Sequence, residues 1–530
     1  MLEETRYFQQ VIENPAKGEK MNTEDKHQDD GQKTGSAVTR REFIKYSAGT
    51  AACISLGAFS FGCGSSSSST PNSFQTVVFS DLHFNPFFDP SLFQQLVAKD
   101  SSEWEGIFKS SNTKTPSAWG QDTSNPLLKD TNYPLLVLAL SSIRQNLGAS
   151  PLVIFTGDLL GHGVPQQFYL YSKGSSQNPA DVAAMKAFTN KTLAFVMGQI
   201  RAAVGTLPVM FAVGNGDSYS GYGPNLDGTS KADNSFLTDN AELFYTTFLN
   251  GTADHQAFLS TFTSGGYYAA EPPGTNLMVI SLNTILFTTL FYPVQGSNDS
   301  AVAVATELDW FDAKLASARA AGKKVLLLMH APPGVDITST LNNLGSASRP
   351  ITTATMMWWP DYQKRFLDIL SSYPGTVSLT LAGHTHMDDY RILTAIDTLE
   401  IMPAIASYSG NNPSYKVFTV FSDTFKPVDY RSLNYDLATN PPQFNNYYTF
   451  STAFSLQGLL DASLVQLTPQ LVTDSTKQAL YRGYYYSGHN SPVSAADTQI
   501  NSITNANWPF YWCAIGKMGK QEYIDSVNAY

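Results

Sequence analysis

The chain predicts an α/β fold, and three observations carry that expectation. Short apolar runs recur along it, amphipathic helical stretches lie between them, and the runs end at glycine or polar turns. The runs are Gln75–Ser80, Leu152–Thr156, Val209–Val213, Met278–Leu282, Val325–Met329 and Val377–Leu381. Each is almost continuously apolar, the pattern of a strand covered on both faces. In Glu307–Ala321, Leu308, Phe311 and Leu315 keep a helical spacing that closes at Gly322, and Thr192–Val204 does the same ahead of Gly205. Strands alternating with helices build layered α/β domains.

A chain of 530 residues has room for one large domain and a smaller one. With 42% hydrophobic and 15% charged residues it is globular rather than disordered. A net charge of −11 argues against a nucleic-acid-binding surface, which needs a basic face to release counterions. The same acidity suggests that a phosphate site would draw positive charge from bound metal rather than from Lys and Arg.

Residues 1–63 read as an export signal. Thr39-Arg40-Arg41-Glu42-Phe43-Ile44-Lys45 resembles a twin-arginine motif, and the apolar stretch Ala48–Phe61 behind it is too short to span a bilayer. Gly62-Cys63 opens a possible lipoprotein site, and residues 64–73 form a Ser-rich linker. Ser60 stands where such sites carry an aliphatic residue, so lipid attachment at Cys63 and a free chain are both open. The expectation is an exported bacterial envelope protein, periplasmic or membrane-anchored. Cys513 is then the lone cysteine of the mature body and cannot form an intramolecular disulfide. The main domain is placed at 74–422 and a small, mainly helical region at 423–530, where Ser463–Leu471 and Thr476–Tyr485 are amphipathic. Two polar inserts, Asn85–Tyr133 and Ser218–Asn240, follow strand ends and could shape a substrate site or decorate the surface.

Five of the eight histidines stand shortly after predicted strands with carboxylate or amide companions. The segments are Asp81-Leu82-His83, Gly157-Asp158 with His162, Gly214-Asn215-Gly216-Asp217, His330, and Gly383-His384-Thr385-His386. A carboxylate can bridge two cations, and imidazole suits Zn, Fe or Mn. Two cations about 3.5–4 Å apart can activate water and hold phosphoryl oxygens during an in-line displacement. Glycines 157, 214 and 383 are expected to permit the turns that aim these side chains inward. Singly each segment is weak evidence; the ordered set points to a two-metal centre.

The order Asp-X-His, Gly-Asp, Gly-Asn, His, Gly-His-X-His resembles that of the calcineurin-like metallophosphoesterases, from Asp81 to His386. His162 four residues after Asp158, the Leu282-Asn283-Thr284 strand end and the Trp-rich tail are similar to acid sphingomyelinase-like phosphodiesterases. The resemblance implies an αββα double-sheet sandwich. It implies one ion on Asp81, His83, Asp158 and His386, and a second on Asp158, Asn215, His330 and His384. It implies direct attack of a metal-held hydroxide on a phosphoester or phospholipid, with His162 as proton donor and Asn215 fixing the ions. Nucleotide or polyphosphate phosphatases are the alternatives, as is a non-catalytic lipid- or glycan-binding protein. One departure stands out: Gly216 occupies a position where many members carry a histidine. His255 and His489 read as surface or loop residues. Trp358-Trp359 reads as core or pocket wall, and Asp336 as exposed or near the site.

Overall fold

The predicted runs form β1 (Ser73–Phe79), β2 (Val153–Phe155) and β3 (Val209–Phe211). After β4 (Tyr268–Ala270) come β5 (Leu277–Ser281), β6 (Lys324–Leu328) and β7 (Val377–Ala382). Then follow β8 (Asp389–Ile392), β9 (Thr398–Ile401), β10 (Ser414–Phe421), β11 (Pro427–Asn434) and β12 (Asn445–Thr449). The computed structural model describes residues 72–116, 130–220, 223, 225–226, 232–233, 235–249, 251–289, 298–489 and 502–530. The predicted export signal and nearly all of the Ser-rich linker, with Arg40, Arg41 and Cys63, lie outside the described residues.

The strands form two six-stranded mixed sheets. The first runs β12-β11-β10-β1-β2-β3, with β1, β2 and β3 parallel. The second runs β8-β9-β7-β6-β5-β4, with β9, β7, β6 and β5 parallel and an antiparallel strand at each edge. Strand alternation sorts the second sheet's side chains onto two faces. Leu326, Leu328, Leu379 and Leu381 join the core that also holds Val77, Phe79, Phe155 and Val417 of the first sheet. Val325 and Leu327 pack instead with Phe311 and Leu315 of helix Asn298–Ala320 and Phe366 of helix Pro360–Ser372. Helices Tyr133–Gln145 and Pro179–Val204 contribute Leu136, Ile143, Val196 and Ile200 to the core shared with the first sheet. The result is the expected double-sheet sandwich.

The helical region begins later than the sequence suggests. Residues 427–449 supply β11 and β12, which extend the first sheet, and the helices start at Phe450. Apolar-run reading misses these two strands because they are half polar: in β12 only Tyr448 is buried, and β11 mixes buried Tyr430 and Leu433 with partly exposed Asp429 and Arg431. Beyond them, Leu460–Thr473 and Ser475–Tyr485 match the predicted amphipathic stretches, and Trp508–Gly516 and Lys520–Ala529 end the chain.

Candidate metal centre

Asp81, Asp158, Asn215, His330 and His384 each lie a few residues beyond the C-terminal end of β1, β2, β3, β6 and β7, respectively. In parallel sheets those ends point one way, so five loops from two sheets meet at one edge. The backbone there is contorted. Asp81, His83, Asp158, His384 and His386 all take positive φ, at 48°, 44°, 65°, 71° and 67°. Such a conformation costs a residue with a Cβ about 1–3 kcal/mol and persists only where surroundings over-determine it. The expected role of the glycines is therefore corrected in part: Gly157 does turn, at φ 107°, but Gly214 and Gly383 make room. A Cβ on Gly214 would fall 2.0 Å from Asp158 Oδ1, and one on Gly383 would fall 2.2 Å from Ser80 Oγ.

The side chains aim at two neighbouring points. Around the first, His83 Nε2 lies 3.1 Å from His386 Nε2, 3.2 Å from Asp158 Oδ2 and 3.8 Å from Asp81 Oδ1. His386 Nε2 is 3.4 Å from Asp81 Oδ1. Around the second, His330 Nε2 lies 3.1 Å from Asp158 Oδ2 and 3.0 Å from Asn215 Oδ1, which is 2.7 Å from His384 Nδ1. Separations of about 3.0–3.5 Å are those that ligands 2.0–2.2 Å from one cation make with each other. Asp158 Oδ2 belongs to both groups. The donor set, imidazole nitrogens with carboxylate and amide oxygens, fits two transition-metal or zinc ions. Backbone carbonyls orient the rings: His83 Nδ1 donates to Leu160 O at 3.1 Å and His330 Nδ1 to Thr156 O at 2.8 Å, leaving each Nε2 for the site.

Charge is divided unevenly among these buried groups. Burial would raise the Asp158 pKa, yet His330 and His83 hold it well below the usual carboxylate range. Burial works against a charged His330 as well, but the Asp158 carboxylate lifts its pKa to about 9, and His83 is raised in the same way. His384 and His386 are pushed down by burial to about 4 and about 3. Without cations, protons on His83 and His330 neutralise the carboxylates, and those are the protons that metal must displace.

His162 stands at the rim. Its Nδ1 meets Asp130 Oδ1 at 2.6 Å, its backbone N–H donates to Asp130 Oδ2 at 2.8 Å, and its ring stacks on His83 with centroids 4.0 Å apart. All eight predicted site residues are thus brought together. Two further residues escaped the sequence reading. Asp130 lies in the polar insert before Tyr133 and carries no local signal. Asp217 was visible beside Gly216 but without a role; its buried carboxylate accepts from the N–H groups of Asp158, Leu159, Leu160 and Gly214 at 2.9–3.2 Å, tying two loops together. Gly216 donates its own N–H to Asp158 Oδ1 at 2.6 Å, and a Cβ there would lie 2.9 Å from the Leu160 carbonyl oxygen. The lesser candidates fall elsewhere. His255 pairs with Glu242 on the surface, Asp336 caps helix Ile337–Leu344, and Trp358 is core, donating to Ala331 O.

A family model described as calcineurin-like phosphoesterase matches residues 74–388. The chain belongs to that family. As a calcineurin-like phosphoesterase it is a metal-dependent phosphoric ester hydrolase, and the matched span holds every site residue named above. It is 26% identical over 479 residues to the cyclic GMP-AMP phosphodiesterase SMPDL3A of Mus musculus, covering 84% of this chain and 90% of that protein. It is 26% identical over 295 residues to the sphingomyelin phosphodiesterase of Homo sapiens, covering 53% of this chain and 39% of that protein. These relatives bear out the acid sphingomyelinase-like resemblance. Among solved structures, a dimetal phosphatase from Danio rerio aligns at TM-score 0.39 and 11% identity, covering 72% of this chain and 100% of that one.

Proposed function

We propose that this calcineurin-like phosphoesterase is an exported phosphodiesterase. In this reading Asp81, His83, Asp158 and His386 hold one cation, and Asp158, Asn215, His330 and His384 hold the second. The observation that carries it is the position of Asp158 Oδ2, 3.2 Å from one imidazole nitrogen and 3.1 Å from another belonging to the opposite group. Zn, Fe and Mn all suit the donors. The pair would supply charge neutralisation at phosphorus and a nucleophile at neutral pH.

The protein's own groups do the rest. Asn215 and the four ligating imidazoles orient the site. His162, with Nδ1 held by Asp130, presents its other nitrogen to the leaving oxygen and gives it a proton as the phosphorus–oxygen bond breaks. A diester substrate is favoured by the relatives, which are phosphodiesterases of cyclic GMP-AMP and of sphingomyelin. Purified, metal-loaded protein is expected to cleave bis-p-nitrophenyl phosphate, and Asp158→Ala to abolish the reaction. Comparing choline phosphodiesters, cyclic dinucleotides, nucleotides and polyphosphate then assigns the class; preference for a monoester or polyphosphate defeats the diesterase reading.

Export through the twin-arginine route and lipidation of Cys63 belong to the same proposal, supported by Arg40-Arg41 and the Ser-rich tether. Retention of an Arg40→Lys/Arg41→Lys protein in the cytoplasm, and loss of lipid label in Cys63→Ser, are the expected outcomes. Export of the double variant would remove the first claim, and absence of label from the natural chain the second.

A further inference from the structure

His162 has a second ring on its outer face. Tyr408 stacks on it with centroids 3.9 Å apart and planes at 20°, while His83 stacks on the other side at 4.0 Å and 17°. The imidazole is sandwiched between a metal-ligand candidate and a phenol. Tyr408 also meets His386 edge-on at 6.5 Å. Asp130 holds one nitrogen of His162, but one hydrogen bond leaves a ring free to swing about it. Two flanking faces remove that freedom.

The loop that delivers Tyr408 is fastened to the site itself. Ile405 N–H donates to Ser80 O at 3.1 Å, Ala406 N–H to Asp81 O at 3.0 Å, and Ala404 N–H to His386 O at 3.2 Å. Two asparagines, each 1% exposed, hold the far side. Asn411 Nδ2 donates back to Ala406 O at 3.0 Å, folding the loop on itself. Asn412 reaches the end of helix Ser475–Tyr485, its N–H donating to Tyr486 O at 3.2 Å and its Nδ2 to Ser487 O at 3.1 Å. So much fastening for a half-buried tyrosine indicates that its position matters.

We propose that Tyr408 is a positioning residue for His162, holding the imidazole plane so that its free nitrogen meets the leaving oxygen. The proposal rests on the reading of His162 as proton donor. A general acid misplaced by about 1 Å can lose on the order of 10²-fold in rate. The loss should appear only where the leaving group needs a proton.

The test compares kcat on glycerophosphocholine, whose leaving group is an alkoxide, with kcat on bis-p-nitrophenyl phosphate, whose leaving group is stable unprotonated. Tyr408→Leu is expected to lower the first about tenfold or more and the second less than about threefold, at unchanged metal content. Tyr408→Phe is expected to restore both, because the ring does the positioning. In a His162→Ala background, Tyr408→Leu should add little, since the two act as a unit. Tyr408→Gln serves as the ring-less variant should Leu misfold. If His162→Ala discriminates between the substrates and the ring-less variants do not, the positioning role is overturned while the proton-donor reading stands. If His162→Ala lowers both equally, the proton donor is wrong and the positioning role falls with it. Loss of metal in the ring-less variants, or failure of Phe to restore activity, also overturns it.

Discussion

Two clusters of buried charge lie close together in this protein and are built on opposite plans. At the sheet edge, Asp81, Asp158 and four imidazoles converge on shared points, where protons on His83 and His330 stand in the place of cations. Just past His386 in the chain, Asp388 Oδ1 lies 2.7 Å from Lys416 Nζ, which is also 2.7 Å from Glu400 Oε2, and Tyr448 OH donates to Asp388 Oδ2 at 2.8 Å. The second cluster is closed, with its positive charge supplied by the chain. The first is open, with protons on His83 and His330 that a cation from outside can displace. Imidazoles and carboxylates that converge on shared points mark a ligand site; a lysine fixed between two acids marks a joint.

The contrast can be broken from either side. His330→Ala, in the open cluster, should cost about 10³-fold or more in turnover, beyond what losing a single transition-state donor usually costs. It should lower metal content, read by elemental analysis. Lys416→Met, in the closed cluster, should do the reverse. It leaves two acids unpaired and should destabilise folding by about 3–5 kcal/mol in denaturant titration, with turnover per folded molecule retained.

A smaller effect concerns acid and metal together. His330, lifted to about 9, and His83, raised likewise, carry protons that metal must displace. Metal affinity of the stripped protein should therefore climb with pH up to about 9, roughly tenfold per unit for each proton released, in chelator competition. A flat profile would mean that these imidazoles are not ligands.

The smallest effect isolates a buried acid with neither plan. Glu307 accepts from Asn283 N–H at 2.6 Å but has no cation beside it among the described residues, and burial pushes its pKa from 4.5 up to about 8. The folded state keeps a proton that the unfolded chain has released between those values, so stability falls as pH rises through that window. Glu307→Gln should melt a few degrees higher than the natural chain at pH 8.5 and equally at pH 4.5.

The ligand set was legible because its members follow apolar runs directly, so that local sequence reports both strand and site. Asp130 and Tyr408 were not. Each reaches His162 only through tertiary packing, one from a polar insert and the other from Ser407-Tyr408-Ser409, which reads as a turn. β10 escaped for a related reason: buried Lys416 interrupts Tyr415 and Val417, and only its partners Asp388 and Glu400, invisible along the chain, make a lysine acceptable there. Gly214 and Gly383 were rightly singled out for their place but not for their purpose, which is space and depends on side chains far away in sequence.

The left-handed backbone at Asp81, His83, Asp158, His384 and His386 links metal binding to folding. At about 1–3 kcal/mol each, five such residues are not expected to hold that shape together in an unfolded chain, so the socket is expected to form with the closing of both sheets. A cation that binds that arrangement favours the closed sheets over any more open state, by an amount that grows with its free concentration.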